Sequence, residues 1–445
     1  MRITRWARVV AVGALALGLV ACAGQGTPQQ SGSTEPTGGT SAQPQPSSSG
    51  PITLQFWHGM TGPDGPAVQQ VIDDFNASQS EIVIKPNIMP WDQLYQKLLT
   101  SVTSADGPQI IAMDASRVPQ YAGTGALATT DDFFADTTYV DTSVLPAAAV
   151  NASKFKGTNY GIPFNLAPMM LYYNKDLFSA AGLDPEKPPT TWDEFTQMAA
   201  KLTVDQNGDG KPEQYAIALA DHETVPMYQP FMWNNGGGVV SEDGTTSIVA
   251  EPASLEALDF WVKQVRDNKV SPIGLAGADA DKLFQTGKAA MEIVGPWMTN
   301  GFTEAGINFG LARPFAGPTG QDTLMNVVTF TLNAKITDEQ RKAAYTFFSY
   351  WNSVDSQVTW ADGSGFPPSR TDIPADKLKN QYSATFGQKE LLDNSRVLLA
   401  GVPNAGTITD EIFYPALQKV LNGKGSVEEV FQAASKDIQA QIDKG

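Results

Sequence analysis

Residues 160–195 read YGIPFNLAPMMLYYNKDLFSAAGLDPEKPPTTWDEF, and the local character of this stretch changes three times. Ile162 precedes Pro163, which disfavours a helix there, and residues 169–173 are a short apolar and aromatic run of the kind that forms a buried strand. Residues 174–181 predict one or two helical turns closed by Gly182, and Pro185, Pro188 and Pro189 prevent their continuation. Thr190 or Thr191 can cap a further helix, with Asp193 and Glu194 in its first turn where the helix dipole favours negative charge. The order is extended entry, strand, short helix, proline-rich turn, helix. Such a sequence of elements marks a crossing from one α/β domain into another.

On the N-terminal side of the crossing, strand and helix patterns alternate. Residues 52–57 and 81–87 predict strands, the second with Ile82 and Ile84 facing inward. Between them Val68, Val71, Ile72 and Phe75 recur at helical spacing, and residues 91–103 predict a helix with Leu94, Leu98 and Leu99 on one face. Residues 108–114 predict a buried strand ending on Asp114. Trp57 reads as core. On the C-terminal side, residues 192–202, 255–267, 280–286, 338–351, 411–422 and 427–442 predict helices, and 215–220, 289–294 and 325–332 predict strands. Residues 222–238 read as a long loop carrying Trp233. Alternation of this kind means α/β, with ligands expected beyond the carboxyl ends of the strands.

The N-terminus has a different composition. Arg2, Arg5 and Arg8 precede the apolar run of residues 9–20, which is too short to span a bilayer comfortably, and Leu19-Val20-Ala21-Cys22 follows. This is the pattern of a signal peptide over residues 1–21. Leu-Val-Ala-Cys resembles the lipobox of bacterial lipoproteins, which makes Cys22 the expected lipidation site and the mature N-terminus. Because Cys22 is the only cysteine, no intrachain disulfide or thiolate metal site can form. Residues 23–50 are nearly all Gly, Ser, Thr, Pro, Gln and Ala, and cannot bury enough apolar surface to offset ordering entropy. A lipid-anchored disordered linker over 22–50 is expected, with an r.m.s. reach of roughly 30 Å.

Composition and motifs exclude several function classes. The formal charge is −17, and removal of residues 1–21 takes three arginines and no acid, leaving −20; this argues against nucleic acid. With His58 and His222 the only histidines, neither an H-E-x-x-H helix nor a three-histidine metal site is possible. The nucleophile elbow G-x-S-x-G and the phosphate loop G-x-x-x-x-G-K-[ST] are absent. Asp205, Asn207 and Asp209 follow the spacing of a calcium loop, but Ala216 stands where an EF-hand requires a bidentate glutamate. The segment reads as a tight structural turn, with weak calcium binding as the alternative. No cofactor is expected.

PFN at 163–165, followed by LYYNKDLFSAAGLDPEKPPTTWDEF at 171–195, resembles the central signature of the bacterial extracellular solute-binding proteins of ABC importers, the family of maltose-binding and glycerol-3-phosphate-binding proteins. FWHGMTG at 56–62, LFQTGKAAMEIVGPW at 283–297 and DGSGFPPS at 362–369 match the same pattern. The resemblance implies a two-lobed α/β periplasmic-binding-protein fold of type II, its ligand cleft lying between lobes joined by a multi-strand hinge. Lobe 1 would comprise 51–165 with about 327–367, and lobe 2 would comprise 166–326 with about 368–445. It implies binding with lobe closure rather than turnover, and partners limited to a small-molecule ligand, two permease subunits, and the membrane through the lipid anchor. The chain is expected to be a monomer.

The cleft implied by the resemblance falls at Trp91, Asp114, Asn165, Trp233, Trp297 and Phe366, with His58 and His222 as further candidates. Sugars present apolar C–H faces ringed by hydroxyls, so aromatic platforms beside carboxylates and amides suit them. Each residue also has a packing alternative: Trp91 against the sheet, Asp114 as a helix cap, Asn165 on backbone groups of the crossing, Trp233 under its loop. The opening of the folded body and the stretch from PFN at 163–165 to LDPEKPP at 183–189 resemble the glycerol-3-phosphate branch in particular, which carries an arginine after a proline in its C-terminal cleft segment. Residues 400–411, AGVPNAGTITDE, hold neither Arg nor Lys. A guanidinium is the geometry-matched partner of phosphate, so a neutral di- or oligosaccharide is the first expectation, and a glycerophosphodiester or glycerol 3-phosphate the second. A secreted carbohydrate-active enzyme is the reading from another class.

Overall fold

The computed structural model describes residues 50–444 except 103, 105 and 106. The expected signal peptide, Cys22 and nearly all of the expected linker lie outside the described residues. Nine strands of three or more residues occur among those described: β1 Ile52–His58, β2 Ile82–Ile88, β3 Ile110–Asp114, β4 Ile162–Pro168, β5 Met170–Asn174, β6 Met291–Val294, β7 Phe309–Ala312, β8 Thr323–Leu332 and β9 Ser395–Val397.

Six of them make one sheet. β1 pairs in parallel with β2 and β3, β3 pairs antiparallel with β8, and the ten-residue β8 also takes β4 antiparallel and β9 parallel. Phe56, Phe164, Phe330, Phe347 and Trp351 form its aromatic core, with Phe164 4.5 Å from Trp351 and 4.6 Å from Phe330. Burial of each such ring is worth roughly 1.5–3 kcal/mol. The helices Gly65–Ser78, Asp338–Trp351 and Val354–Ser364 cover this face. A second sheet, β6-β5-β7, is antiparallel throughout. Beside it Trp192, Phe195, Phe231, Trp261 and Phe315 pack together, with Phe231 stacked on Trp261 at 3.8 Å.

The chain passes from one sheet to the other through the single residue Met169. Its N–H donates to the Leu324 carbonyl at 2.8 Å, and its own carbonyl accepts from Thr323 Oγ1 at 3.0 Å, so β8 pins the crossing on both sides. Just before it the β4–β8 register skips Phe164: Thr329 faces Pro163 and Val328 faces Asn165. Pro163 has no N–H to give the ladder, which makes this the natural place for a bulge. The freed Phe164 carbonyl accepts from Trp351 Nε1 at 2.9 Å and Ser369 Oγ at 3.2 Å, so its backbone acceptor is satisfied.

Beyond the crossing, local chemistry and structure agree closely. Asn174 caps the helix Lys175–Ala180, and Gly182 takes φ +70° after it. Thr191 caps Trp192–Leu202 while Glu194 reaches back to the Thr190 N–H at 2.7 Å. Other expectations are corrected. Leu99 does not join Leu94 and Leu98 in the core but is 66% exposed, one position off the buried face. The 222–238 segment is not all loop, since Tyr228–Trp233 is a helix. Residues 215–220 join their neighbours through isolated bridges, from Tyr215 to Ala289 and from Ala218 to Glu292. The helix expected from 411 begins earlier, in a π-helical stretch Ile408–Phe413. Val354–Ser364, unforeseen, is a full helix with a Gly365 cap at φ +83°.

Candidate functional site

Two tryptophans, one at the start of the helix Trp91–Ser101 and one in the turn Pro296–Met298, share one construction. The Trp91 indole lies flat over the backbone of Gly59, where an added Cβ would stand 2.1 Å from the ring. Trp297 folds back over Gly295 in the same way, at 2.0 Å. Only the lack of a side chain at each glycine lets an aromatic plane sit on the loop that follows β1 or β6. Both rings remain partly open to solvent.

One helical turn beyond Trp91, Tyr95 stacks with it at 6.0 Å and 23°. The Tyr95 hydroxyl donates to Asp114 Oδ2 at 2.7 Å and accepts from the Asp114 N–H at 3.0 Å. Asn326 Nδ2, on β8, donates to Asp114 Oδ1 at 3.0 Å. Both oxygens of Asp114 are therefore oriented by neutral donors, and burial first, then the Asp114 charge, push the Tyr95 phenol well above its ordinary range. The Arg117 guanidinium lies 4.3 Å over the Tyr95 ring and donates through Nη2 to Asp410 Oδ2 at 2.8 Å. Burial alone would weaken the Arg117 charge, but Tyr95, Asp410 and Asp114 outweigh it and hold the cation firmly protonated.

His222 and Trp233 belong to separate networks. His222 Nδ1 is 2.7 Å from Asp221 Oδ1, and the buried Asp221 also accepts from the Gly274 N–H at 2.7 Å and Gln418 Nε2 at 3.2 Å. Tyr414 donates its hydroxyl to the Thr224 carbonyl at 2.6 Å, on the same wall. Trp233 carries the Arg396 guanidinium at 5.7 Å, and Arg396 pairs with Asp322 at 2.5 Å. Trp297 faces Phe366 at 6.5 Å, with Phe366 packed at 4.9 Å on the buried Trp360.

The sequence-derived residues thus divide. Trp91 and Asp114 are joined through Tyr95, and Trp297 meets Phe366. Asn165, His58 and Phe366 are buried at 1–2% exposure in this conformation, so they shape walls rather than offer surface. Asn165 does not serve the backbone of the crossing through its carbonyl, since Oδ1 has no partner. His58 packs 4.9 Å from Phe56, and burial lowers its pKa to about 4, leaving it neutral. Tyr95, Arg117, Asn326, Asp410 and Tyr414 escaped the sequence reading. Tyr95 was within reach, four residues after Trp91 on one helix face. Asn326 and Asp410 are 212 and 293 residues from their partners, and no local signal connects them.

The calcium-like turn closes on itself. Asp205 accepts from the Gly208 and Gly210 N–H groups, each at 2.8 Å, Asp209 accepts from Lys211, and the Lys269 ammonium sits on the Gly210 carbonyl at 2.7 Å. Among the described residues no group of three His, Cys, Asp or Glu side chains is placed to hold a metal ion, and no helix is long and apolar enough to cross a membrane.

Contacts between the two halves recur around these residues. Asn300 Nδ2 donates to the Gly363 carbonyl at 2.8 Å, and Pro63, in the loop after β1, stands where a side chain on Gly301 would point, 3.3 Å from its Cβ position. Comparison with known proteins places this arrangement. Residues 70–387 match the family model described as bacterial extracellular solute-binding protein. The sn-glycerol-3-phosphate-binding periplasmic protein of Brucella abortus (strain 2308) is 26% identical over 411 residues, covering 87% of this chain and 93% of that protein. Among solved structures, an ABC substrate-binding protein of Listeria monocytogenes in complex with cycloalternan superposes with TM-score 0.77 at 21% identity, covering 88% of this chain and 99% of that one. UgpB of Mycobacterium tuberculosis in complex with glycerophosphocholine gives TM-score 0.76 at 22% identity, covering 89% of this chain and 99% of that one. With the two-sheet fold, the single-residue crossing and a family match over most of its length, the chain belongs to the bacterial extracellular solute-binding proteins of ABC importers.

Proposed function

We propose that this chain captures a neutral di- or oligosaccharide between its two lobes, closes on it and delivers it to the permease of an ABC importer. Cys22, once acylated, would tether it to the outer face of the cytoplasmic membrane. The lobes would divide as 51–165 with about 327–367, and 166–326 with about 368–445. The observation that carries the ligand class is the pairing of aromatic planes with pre-oriented neutral and carboxylate oxygen groups, while the guanidiniums that touch them are already committed. Arg117 over Tyr95 is paired with Asp410, and Arg396 over Trp233 with Asp322. Partly open indoles suit pyranose faces, and the Asp114 carboxylate, held by Tyr95 and Asn326, suits a pair of hydroxyls.

The relative from Brucella supports a second reading, a glycerophosphodiester or glycerol 3-phosphate. A thermal-shift screen of mono-, di- and oligosaccharides beside sn-glycerol 3-phosphate and glycerophosphocholine decides between them. Stabilisation by saccharides is expected; stabilisation by the phosphorylated compounds alone would overturn the sugar reading. Incubation with labelled oligosaccharides should return them intact, and any cleaved product would point to an enzyme instead.

A further inference from the structure

The contact between Arg117 and Asp410 joins two parts of the molecule that no local structure brings together. Arg117 ends the short turn Ala115–Arg117 after β3, in the six-stranded sheet. Asp410 lies in the π-helical stretch Ile408–Phe413, which runs on into Tyr414–Leu421; that helix and Val427–Ile442 pack on Pro252–Arg266, in the half built beside the second sheet. A π-turn widens the helix and is a device often found at working sites. Here it presents Asp410 to the other half.

The guanidinium is closely seated. It stacks on Tyr95 at 4.3 Å, reaches Asp410 at 2.8 Å, and fills the space over Gly406, where an added Cβ would stand 2.7 Å from Nη1. Its neighbour along the chain, Asp114, is the candidate ligand-binding carboxylate. A cation so placed beside a ligand cleft would be a ready partner for a phosphate oxygen, because charge-assisted hydrogen bonds from guanidinium to phosphate are strong and geometrically matched. Asp410 occupies that valence. Its side chain is 48% exposed against 25% for Arg117, so the acid approaches from the open side.

We propose that Asp410 is a specificity-determining residue: by pairing with Arg117 across the cleft it withholds the guanidinium from anionic ligands and leaves the site to neutral ones. This deepens the carbohydrate reading and rests on the same cleft being the ligand site. Removing the carboxylate frees a stacked, oriented arginine, which then accepts a phosphate oxygen in the position the carboxylate held. Glu411 provides an internal control, since it carries the same charge one residue further along the same turn.

The test is calorimetric titration of wild type, Asp410→Asn and Glu411→Gln with sn-glycerol 3-phosphate, and of each with maltotriose. Asp410→Asn should bind sn-glycerol 3-phosphate on the order of tenfold more tightly than wild type, the scale of one charge-assisted hydrogen bond. Glu411→Gln, which alters net charge but not the contact, should stay within about twofold, as exposed charges separated from the site are screened. Arg117→Gln added to Asp410→Asn should abolish the gain. Equal gains in Asp410→Asn and Glu411→Gln, or no gain in Asp410→Asn while its melting curve matches wild type, would overturn the proposal. The two readings fail separately. A wild type that ignores every saccharide in the screen, with Asp410→Asn still acquiring phosphate binding, sinks the sugar reading alone. Saccharide binding by wild type with no phosphate gain in the variant sinks the Asp410 proposal alone.

Discussion

Asp114 and His58 show how differently two polar residues at strand ends can be used. Asp114 keeps an oriented carboxylate at the end of β3, and Asp114→Asn should remove most of any saccharide-induced thermal shift. Asp114→Ala would also leave the buried Tyr95 hydroxyl without its acceptor, costing about 1–3 kcal/mol in the ligand-free protein, so the asparagine variant is the cleaner probe. Trp91→Ala should lose a comparable share of the shift with a smaller change in ligand-free melting, because the ring packs on the core by one side only and stays partly open to solvent. A large ligand-free loss for Trp91→Ala would return that residue to a packing role. His58 is held neutral by burial, with its pKa lowered to about 4 from 6.5. The folded form therefore binds fewer protons than the unfolded chain between these values. Stability from this site is full above pH 6.5 and is lost as pH falls towards 4, by up to about 3 kcal/mol. Melting curves of His58→Gln should lack that component, and an unchanged acid limb would refute the assignment. Asp114 and Trp91 were legible as candidates, because a carboxylate closing an apolar run and an aromatic after Pro90 are visible in order. That Asp114 is held by Asn326, and His58 enclosed beside Phe56, was not, since those partners arrive through the sheet.

At the scale of elements, the second sheet contains a chemical conflict. Glu292 lies in β6, nearly fully buried, beside Asp281 of the helix Gly277–Gln285. Burial first, then the Asp281 charge, push Glu292 far above the usual carboxylate range, and burial raises Asp281 to about 6. For raised carboxyl groups the folded form binds more protons, so their stabilising effect is complete at acid pH and is lost as pH rises through about 6 and beyond. Glu292→Gln, which mimics the protonated acid, should raise the melting temperature at pH 8 by about 2 °C or more and leave it unchanged near pH 4. Equal melting of both forms at pH 8 would disprove the conflict. Sequence periodicity identified β6 correctly but not this pair, because an acid in an apolar run reads as an exception until its partner is known. Helices were legible where caps and proline punctuation bracket them, as at Thr191–Leu202. The Tyr228–Trp233 helix was hidden by Pro230 and the following glycines, which read as loop chemistry although proline is tolerated in a first helical turn.

For the whole molecule, a saccharide bridging the two halves should favour the closed arrangement by its differential affinity for it. Small-angle scattering should show the radius of gyration falling when a stabilising saccharide is added, and no change under saturating ligand would argue against closure. The crossing through Met169, pinned to β8 by Leu324 and Thr323 with the bulge at Phe164 beside it, and the return of the chain between β7 and β8 are the segments that would share such movement. The amino-acid sequence by itself determined the α/β class, the lack of any disulfide, thiolate-metal or multi-histidine site, and the absence of a basic residue from 400–411. These follow from local periodicity, turn residues and composition, which act over a few residues. Only the tertiary structure decided that a guanidinium nevertheless reaches that segment, delivered by Arg117 and neutralised by Asp410. Ion pairing depends on distance in space, and 293 residues of chain must fold before these two charges meet.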